Sequence, residues 1–250
     1  MKEIKKEIIH LLKEIEKKNN IKILFAVESG SREWGFASKD SDYDVRAVHF
    51  SPVNKYLSIE QIKEQIELVK RNIDIVSWDI KKFISLFLKS NPTVSEWLKS
   101  KIVYKDSKYR NILSKEFDKG FSREAIKKHY VSLSRQNYEK YIRNKREVNL
   151  KKYVYVLRAI GCVNFLMKEN TSPPLNYKEL LPYLPKNIAD FINLIVEKKK
   201  KSEKILGSVN EEINNYIESY FNIKFEKSEN YFNIKKINNF VIKIIKNQGK

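Results

Sequence analysis

Two aspartates, Asp42 and Asp44, stand two residues apart at the head of DYDVRAVHF, and a third, Asp74, interrupts the apolar run NIDIVSW. In an extended strand, residues i and i+2 point to the same face, so Asp42 and Asp44 would project side by side. Carboxylates that close repel each other, and a divalent cation is the usual compensation. Asp74 lies between Ile73 and Ile75, where a strand disfavours aspartate, so it too needs a partner. Upstream, Gly30-Ser31 closes another apolar run. A strand that stops at such a pair and turns into a helix offers unpaired backbone N–H groups to a phosphate. Three carboxylates on neighbouring strands beside a phosphate turn suit in-line attack on a nucleoside triphosphate, with two Mg²⁺ ions about 3.5–4 Å apart.

The elements that must position these residues follow from periodicity. Ile4, Ile8, Leu11, Leu12 and Ile15 recur at helical spacing, predicting a helix over 2–18 that the Asn19-Asn20 pair ends. Strands are expected over 21–28, 43–50 and 72–78, a short helix over 31–36, a turn over 37–41 and a helix over 59–70. Asp79 occupies an N-cap position before the apolar face Ile80, Phe83, Ile84, Phe87 and Leu88. Asn91-Pro92 stops that helix, and a helix over 93–100 and an edge strand over 102–104 complete the first part. From about residue 105 the pattern is helical only, over 106–117, 122–146, 150–168, 176–183, 187–205, 209–221 and 231–247, with SPPL at 172–175 as the clearest break. The expected fold is α+β: a small mixed β-sheet domain with flanking helices over 1–104, followed by an all-α domain over 105–250.

The spacing of Gly30-Ser31, Asp42-Tyr43-Asp44 and the later apolar-Asp-apolar strand resembles the signature of the DNA polymerase beta-like nucleotidyltransferases. More narrowly, ESGSREWGFASKDSDYDVR, WDIKKFISLFLKSNPTVSEWL and KKYVYVLRAI are similar to the RNA repair pathway DNA polymerase beta family of predicted nucleotidyltransferases. These segments fall within residues 28–160, and PPLNYKELL is a fainter echo further on. The resemblance implies that Gly30 and Ser31 bind the triphosphate, that Asp42 and Asp44 hold both metals, and that Asp74 completes the catalytic metal site and assists deprotonation of the acceptor hydroxyl. Arg32 and Arg46 would serve phosphate or the metal shell. Relatives in the superfamily supply a lysine and an aromatic from a helical domain, which implies Lys152, Tyr155 and Arg158, three residues at helical spacing, as further nucleotide contacts. The implied cofactor is Mg²⁺, two ions, with Mn²⁺ as a substitute. The implied substrate is an NTP, ATP among the candidates.

Plainer readings apply to other residues. Asp79 caps a helix, so Asp74 is preferred as third ligand; Asp40 belongs to the turn; and Glu28 would pair with Arg32 or Arg46. His10, His49 and His129 lack ligand spacing for zinc. Trp34, Trp78 and Trp97 read as core, Lys198–Lys201 as a solvated helix face, and Cys162, the single cysteine, as packing in a reducing cytoplasm. No apolar run approaches the roughly 18 residues of a membrane span, so a soluble cytoplasmic protein with no membrane partner is expected.

Net charge is +19, and it is unevenly placed: 19 basic against 15 acidic residues over 1–104, but 31 against 16 over 105–250. Such a field attracts polyanions. The leading expectation is transfer of a nucleoside monophosphate from an NTP to an RNA 3′ end with release of pyrophosphate, as in RNA repair or tRNA modification. Transfer to a protein or small molecule, and a non-catalytic nucleic-acid-binding or antitoxin-like role, are the alternatives.

Overall fold

A computed structural model describes residues 2–59, 61–201, 205–227 and 229–246. In chain order the elements are α1 Lys2–Asn19, β1 Lys22–Ser29, α2 Gly30–Glu33, β2 Tyr43–Phe50, α3 Val53–Leu57, β3 Gln65–Lys70, β4 Ile73–Asp79, α4 Ile80–Leu88, α5 Pro92–Lys99 and β5 Val103–Lys105. They continue as α6 Lys108–Gly120, α7 Arg123–Tyr141, β6 Glu147–Asn149, α8 Lys151–Lys168, α9 Tyr177–Leu180, α10 Lys186–Lys201, β7 Leu206–Ser208, α11 Glu211–Ser219 and α12 Ile234–Lys246. The architecture is α+β. The chain folds as two compact units: Met1–Gly30, Asp42–Phe121 and Asn230–Lys250 form one, and Ser31–Ser41 with Ser122–Glu229 form the other.

The first unit is built on a mixed five-stranded sheet of order β3-β4-β2-β1-β5. Antiparallel pairing joins β1 to β2, β1 to β5 and β3 to β4, whereas β2 and β4 run parallel. Ile8, Leu11, Leu12 and Ile15 of α1 are buried in one cluster with Ile23, Val45, Ala47, Ile73 and Ile75, so the helical stripe read from the sequence covers one face of the sheet. Each such side chain contributes about 1.5–3 kcal/mol when fully buried, as an upper figure. On the other side, Phe25 of β1 meets Phe83 of α4 edge-on, with ring centroids 5.7 Å apart, and Trp78 lies 4.0 Å from Trp97 of α5. Asp79 caps α4, its carboxylate accepting the Lys81 N–H, and Asn91 caps α5 with Pro92 opening the helix. Phe232 reaches Phe87 and Phe117, and Ile237, Val241, Ile244 and Ile245 of α12 are buried, so residues from the far end of the chain complete this unit.

The second unit packs α7 and α10 against α8, whose Tyr153, Val154, Val156, Leu157 and Ile160 are fully buried. Cys162 is buried in the same helix. Here the expectation of helices alone is corrected: β6 and β7 form an antiparallel ribbon, Val148 opposite Gly207. The helix expected over 59–70 is likewise replaced at 65–70 by β3. Its QIELVK sequence places Ile66 and Leu68 on the covered face of an edge strand, and period two wins once β4 offers a ladder of hydrogen bonds. The helix expected over 122–146 ends at Tyr141, and Asn144 turns the chain with φ of 59°. Residues 202–204 and 247 of two expected helices lie outside the described residues. Lys199 departs from the solvated-face reading, being fully buried with Nζ 5.0 Å from the Phe36 ring centroid. Among the described residues no helix is long and apolar enough to cross a membrane.

Candidate active site

The parallel register of β2 and β4 sets Asp44 opposite Asp74, with Val45 opposite Ile75 and Arg46 opposite Val76. Adjacent strands lie about 4.8 Å apart, so the two carboxylates leave the sheet as close neighbours on one face. Their alternates, Val45, Ile73 and Ile75, are buried against α1, which fixes the face on which the acids emerge. Arg46, two residues after Asp44, shares that face. Its Nη2 donates to Asp44 Oδ1 and to Asp74 Oδ2, each at 2.9 Å, and its Nη1 donates to the carbonyls of Asp74 at 3.1 Å and Val45 at 3.2 Å. One guanidinium thus bridges both acids, and the Arg46 side chain is only 18% exposed. The D-x-R spacing was the available signal for this bridge.

Two further contacts hold Asp44. Its backbone N–H donates to Glu28 Oε1 at 2.8 Å. Glu28 is buried; its other carboxylate oxygen accepts the Tyr104 hydroxyl and its carbonyl accepts Ser100 Oγ at 2.8 Å. Glu28 therefore braces the strand carrying Asp44. On the side-chain side, Gly30 has φ of 63°, and a Cβ placed there would lie 2.2 Å from Asp44 Oδ2. The glycine is required twice over, by its left-handed backbone and by the carboxylate packed on it.

Asp42 precedes β2, is exposed, and is not brought into a three-carboxylate group. Among the described residues no group of three or more His, Cys, Asp or Glu side chains is arranged to hold a metal ion. The pair Asp44 and Asp74 nevertheless fits a hard cation in its donor chemistry, since both present oxygens to one positive group, the guanidinium that stands in for it.

Ser31 is buried at the start of α2, which runs only to Glu33 where a helix to residue 36 was expected. Arg32 donates to the Ser41 carbonyl, and the Ser38 N–H donates to Ser41 Oγ at 2.9 Å, so the loop leading to Asp42 is braced from within. In the helical unit, Lys152 Nζ lies 3.9 Å from the Tyr141 ring centroid, and Tyr155 packs edge-on against Trp34 and Phe36. Arg158 is buried, stacks 4.1 Å from the Trp34 ring centroid and donates to the Leu175 carbonyl. Its charge is therefore engaged inside the unit.

Asp79, the other carboxylate of β4, stands apart from this group. It caps α4, accepts the Tyr56 hydroxyl at 2.6 Å, and burial raises its pKa above the ordinary aspartate value. Fully buried His49 shares a 2.7 Å hydrogen bond with Ser77, and burial lowers its pKa to about 4.

Residues 4–243 match the RNA repair pathway DNA polymerase beta family. The chain belongs to that family. Membership makes it a polymerase beta-like nucleotidyltransferase chain over nearly its whole length. An uncharacterised relative, YcgL of Bacillus subtilis (strain 168), is 39% identical over 221 residues, covering 86% of this chain and 85% of that one. A crystal structure of a nucleotidyltransferase-like protein from Exiguobacterium sibiricum 255-15 superposes with a TM-score of 0.30 at 11% identity, over 78% of this chain and 75% of that one.

Proposed function

We propose that this family member transfers a nucleoside monophosphate from an NTP to the 3′ hydroxyl of an RNA, releasing pyrophosphate. The observation that carries the reading is the Asp44 and Asp74 pair, set together by parallel register beside Gly30. Asp44 and Asp74 would hold Mg²⁺ or Mn²⁺, and Asp42, exposed in the loop just before β2, would have to turn toward them to join. When bound, those ions supply charge neutralisation of the triphosphate and a lowered pKa for the attacking hydroxyl. Asp74 is the residue to take up the proton from that hydroxyl, because Asp79 is already committed to Lys81 and Tyr56. The Gly30-Ser31 turn offers backbone N–H groups to phosphate, supported by Arg32 and Arg46. Lys152 and Tyr155 are the nucleotide contacts assigned to the helical unit, since Arg158 is engaged by Trp34 and Leu175.

RNA is favoured as acceptor by the charge of residues 105–250, 31 basic against 16 acidic, which a small acceptor would not require. The test is incubation of the purified protein with each α-labelled NTP, Mg²⁺ or Mn²⁺, and total cellular RNA. Labelled RNA that is lost in Asp44→Asn and weakened by added salt supports the reading. Label on protein, or none above the variant, overturns it.

A further inference from the structure

The bridge made by Arg46 has a consequence for metal binding. Asp44 Oδ1 and Asp74 Oδ2 both point at a single nitrogen, Arg46 Nη2, at 2.9 Å each, and that nitrogen belongs to a planar group fixed on its other arm by two main-chain carbonyls. The oxygens that a shared cation would use, one from β2 and one from β4, are thus already turned to one positive charge, supplied by Arg46 of β2. A guanidinium and a divalent cation cannot both occupy that point, because they need the same carboxylate lone pairs and repel each other. Without any cation there, two carboxylates on adjacent strands would repel and splay.

We infer that Arg46 is a positioning residue that acts as a built-in counter-cation: it holds Asp44 and Asp74 in a converged geometry while no metal is present, and it is displaced when a divalent cation binds between them. This rests on the reading that these two aspartates hold metal. The arrangement has two opposite effects. It spares the protein the cost of bringing two acids together when metal arrives, and it lowers apparent metal affinity because the guanidinium must first leave. Once displaced, the guanidinium is released on the same face of β2, two residues from Asp44, where an incoming triphosphate would be its natural anion.

The experiment compares wild type, Arg46→Gln, Arg46→Lys and Asp44→Asn by Mn²⁺ binding, read from the free-ion EPR signal, and by thermal unfolding with and without Mn²⁺. Circular dichroism establishes that each variant is folded. Arg46→Gln is expected to unfold at lower temperature than wild type without metal, to bind Mn²⁺ about tenfold more tightly, and to gain more in melting temperature from Mn²⁺. Arg46→Lys should lie between, since one ammonium cannot serve two carboxylates and two carbonyls in a plane. A merely structural arginine would lower the melting temperature equally with and without Mn²⁺, so that result overturns the inference. So does a folded Arg46→Gln whose Mn²⁺ affinity is unchanged or weaker; the two-aspartate metal site still stands in that case if Asp44→Asn alone abolishes binding. Absence of Mn²⁺ binding in wild type and Arg46→Gln alike overturns both.

Discussion

Glu28 Oε1 accepts the backbone N–H of Asp44 at 2.8 Å, so one buried acid fixes the main chain from which another acid projects toward solvent. The first carboxylate is buried and the second is about a third exposed, although they lie on paired strands. Removing the Glu28 side chain leaves the Tyr104 hydroxyl and the Asp44 N–H without their acceptor. Glu28→Ala is expected to lower unfolding free energy by about 2–4 kcal/mol, measured by urea titration. Glu28→Gln keeps one acceptor oxygen and should cost less.

Gly30→Ala tests the close approach at the turn. The new methyl meets the Asp44 carboxylate and the left-handed backbone together. Stability should fall by about 1–3 kcal/mol, while nucleotidyl transfer falls by about 100-fold or more because the carboxylate must swing aside. Parallel losses in urea midpoint and activity with no excess in the latter would contradict this.

The carboxylates of β2 and β4 should separate by effect. Asp44→Asn and Asp74→Asn are expected to lower kcat by about 100-fold or more with small changes in melting temperature, because both side chains are about a third exposed. Asp79→Asn should do the reverse. It weakens a helix cap and the Tyr56 contact, at about 1–2 kcal/mol, and leaves the transfer rate within a few-fold. Steady-state kinetics beside thermal melts on the three variants decides the matter.

His49 gives the pH dependence of stability. Its folded pKa is near 4 against 6.5 for the free side chain, so between those values the unfolded chain binds the extra proton. The stability is fully present above about pH 6.5, falls as the pH drops, and by pH 4 has lost on the order of 2–3 kcal/mol. Asp79, whose pKa is raised, acts with the opposite sign above its unfolded value, losing stability as pH rises. His49→Gln should flatten the fall between pH 6.5 and 4 in a series of thermal melts. An unchanged slope would place the acid sensitivity elsewhere.

How far the site is readable from residues alone depends on which interaction sets each part. The side-by-side placement of Asp44 and Arg46 follows from strand alternation, and the N-cap role of Asp79 follows from its place before an apolar helical stripe. The pairing of Asp44 with Asp74 needs the parallel register of two strands separated by a hairpin partner, and local spacing does not encode it. Asp42 shows the limit of alternation, because β2 begins one residue later, at Tyr43. Over 59–70, Ile59, Ile62, Ile66 and Val69 imitate helical spacing, and at 65–70 the contest is settled by β4. The three-residue strands EVN and LGS are too short to carry any period. Lys199 looks solvated within a lysine run, yet an aromatic face recruits it to the interior.

The return of residues 230–246 to the sheet unit bears on how the chain is made. Gly120 accepts the Tyr231 N–H and leaves room for the Phe232 ring, which covers Phe87 and Phe117. A ribosome emits the strands bearing Asp44 and Asp74 early and the residues that seal their unit last, after the whole span Ser122–Glu229 has been synthesised. The nascent sheet must therefore wait with an aromatic surface uncovered for more than 100 residues of translation, several seconds or longer at about 5–20 residues per second.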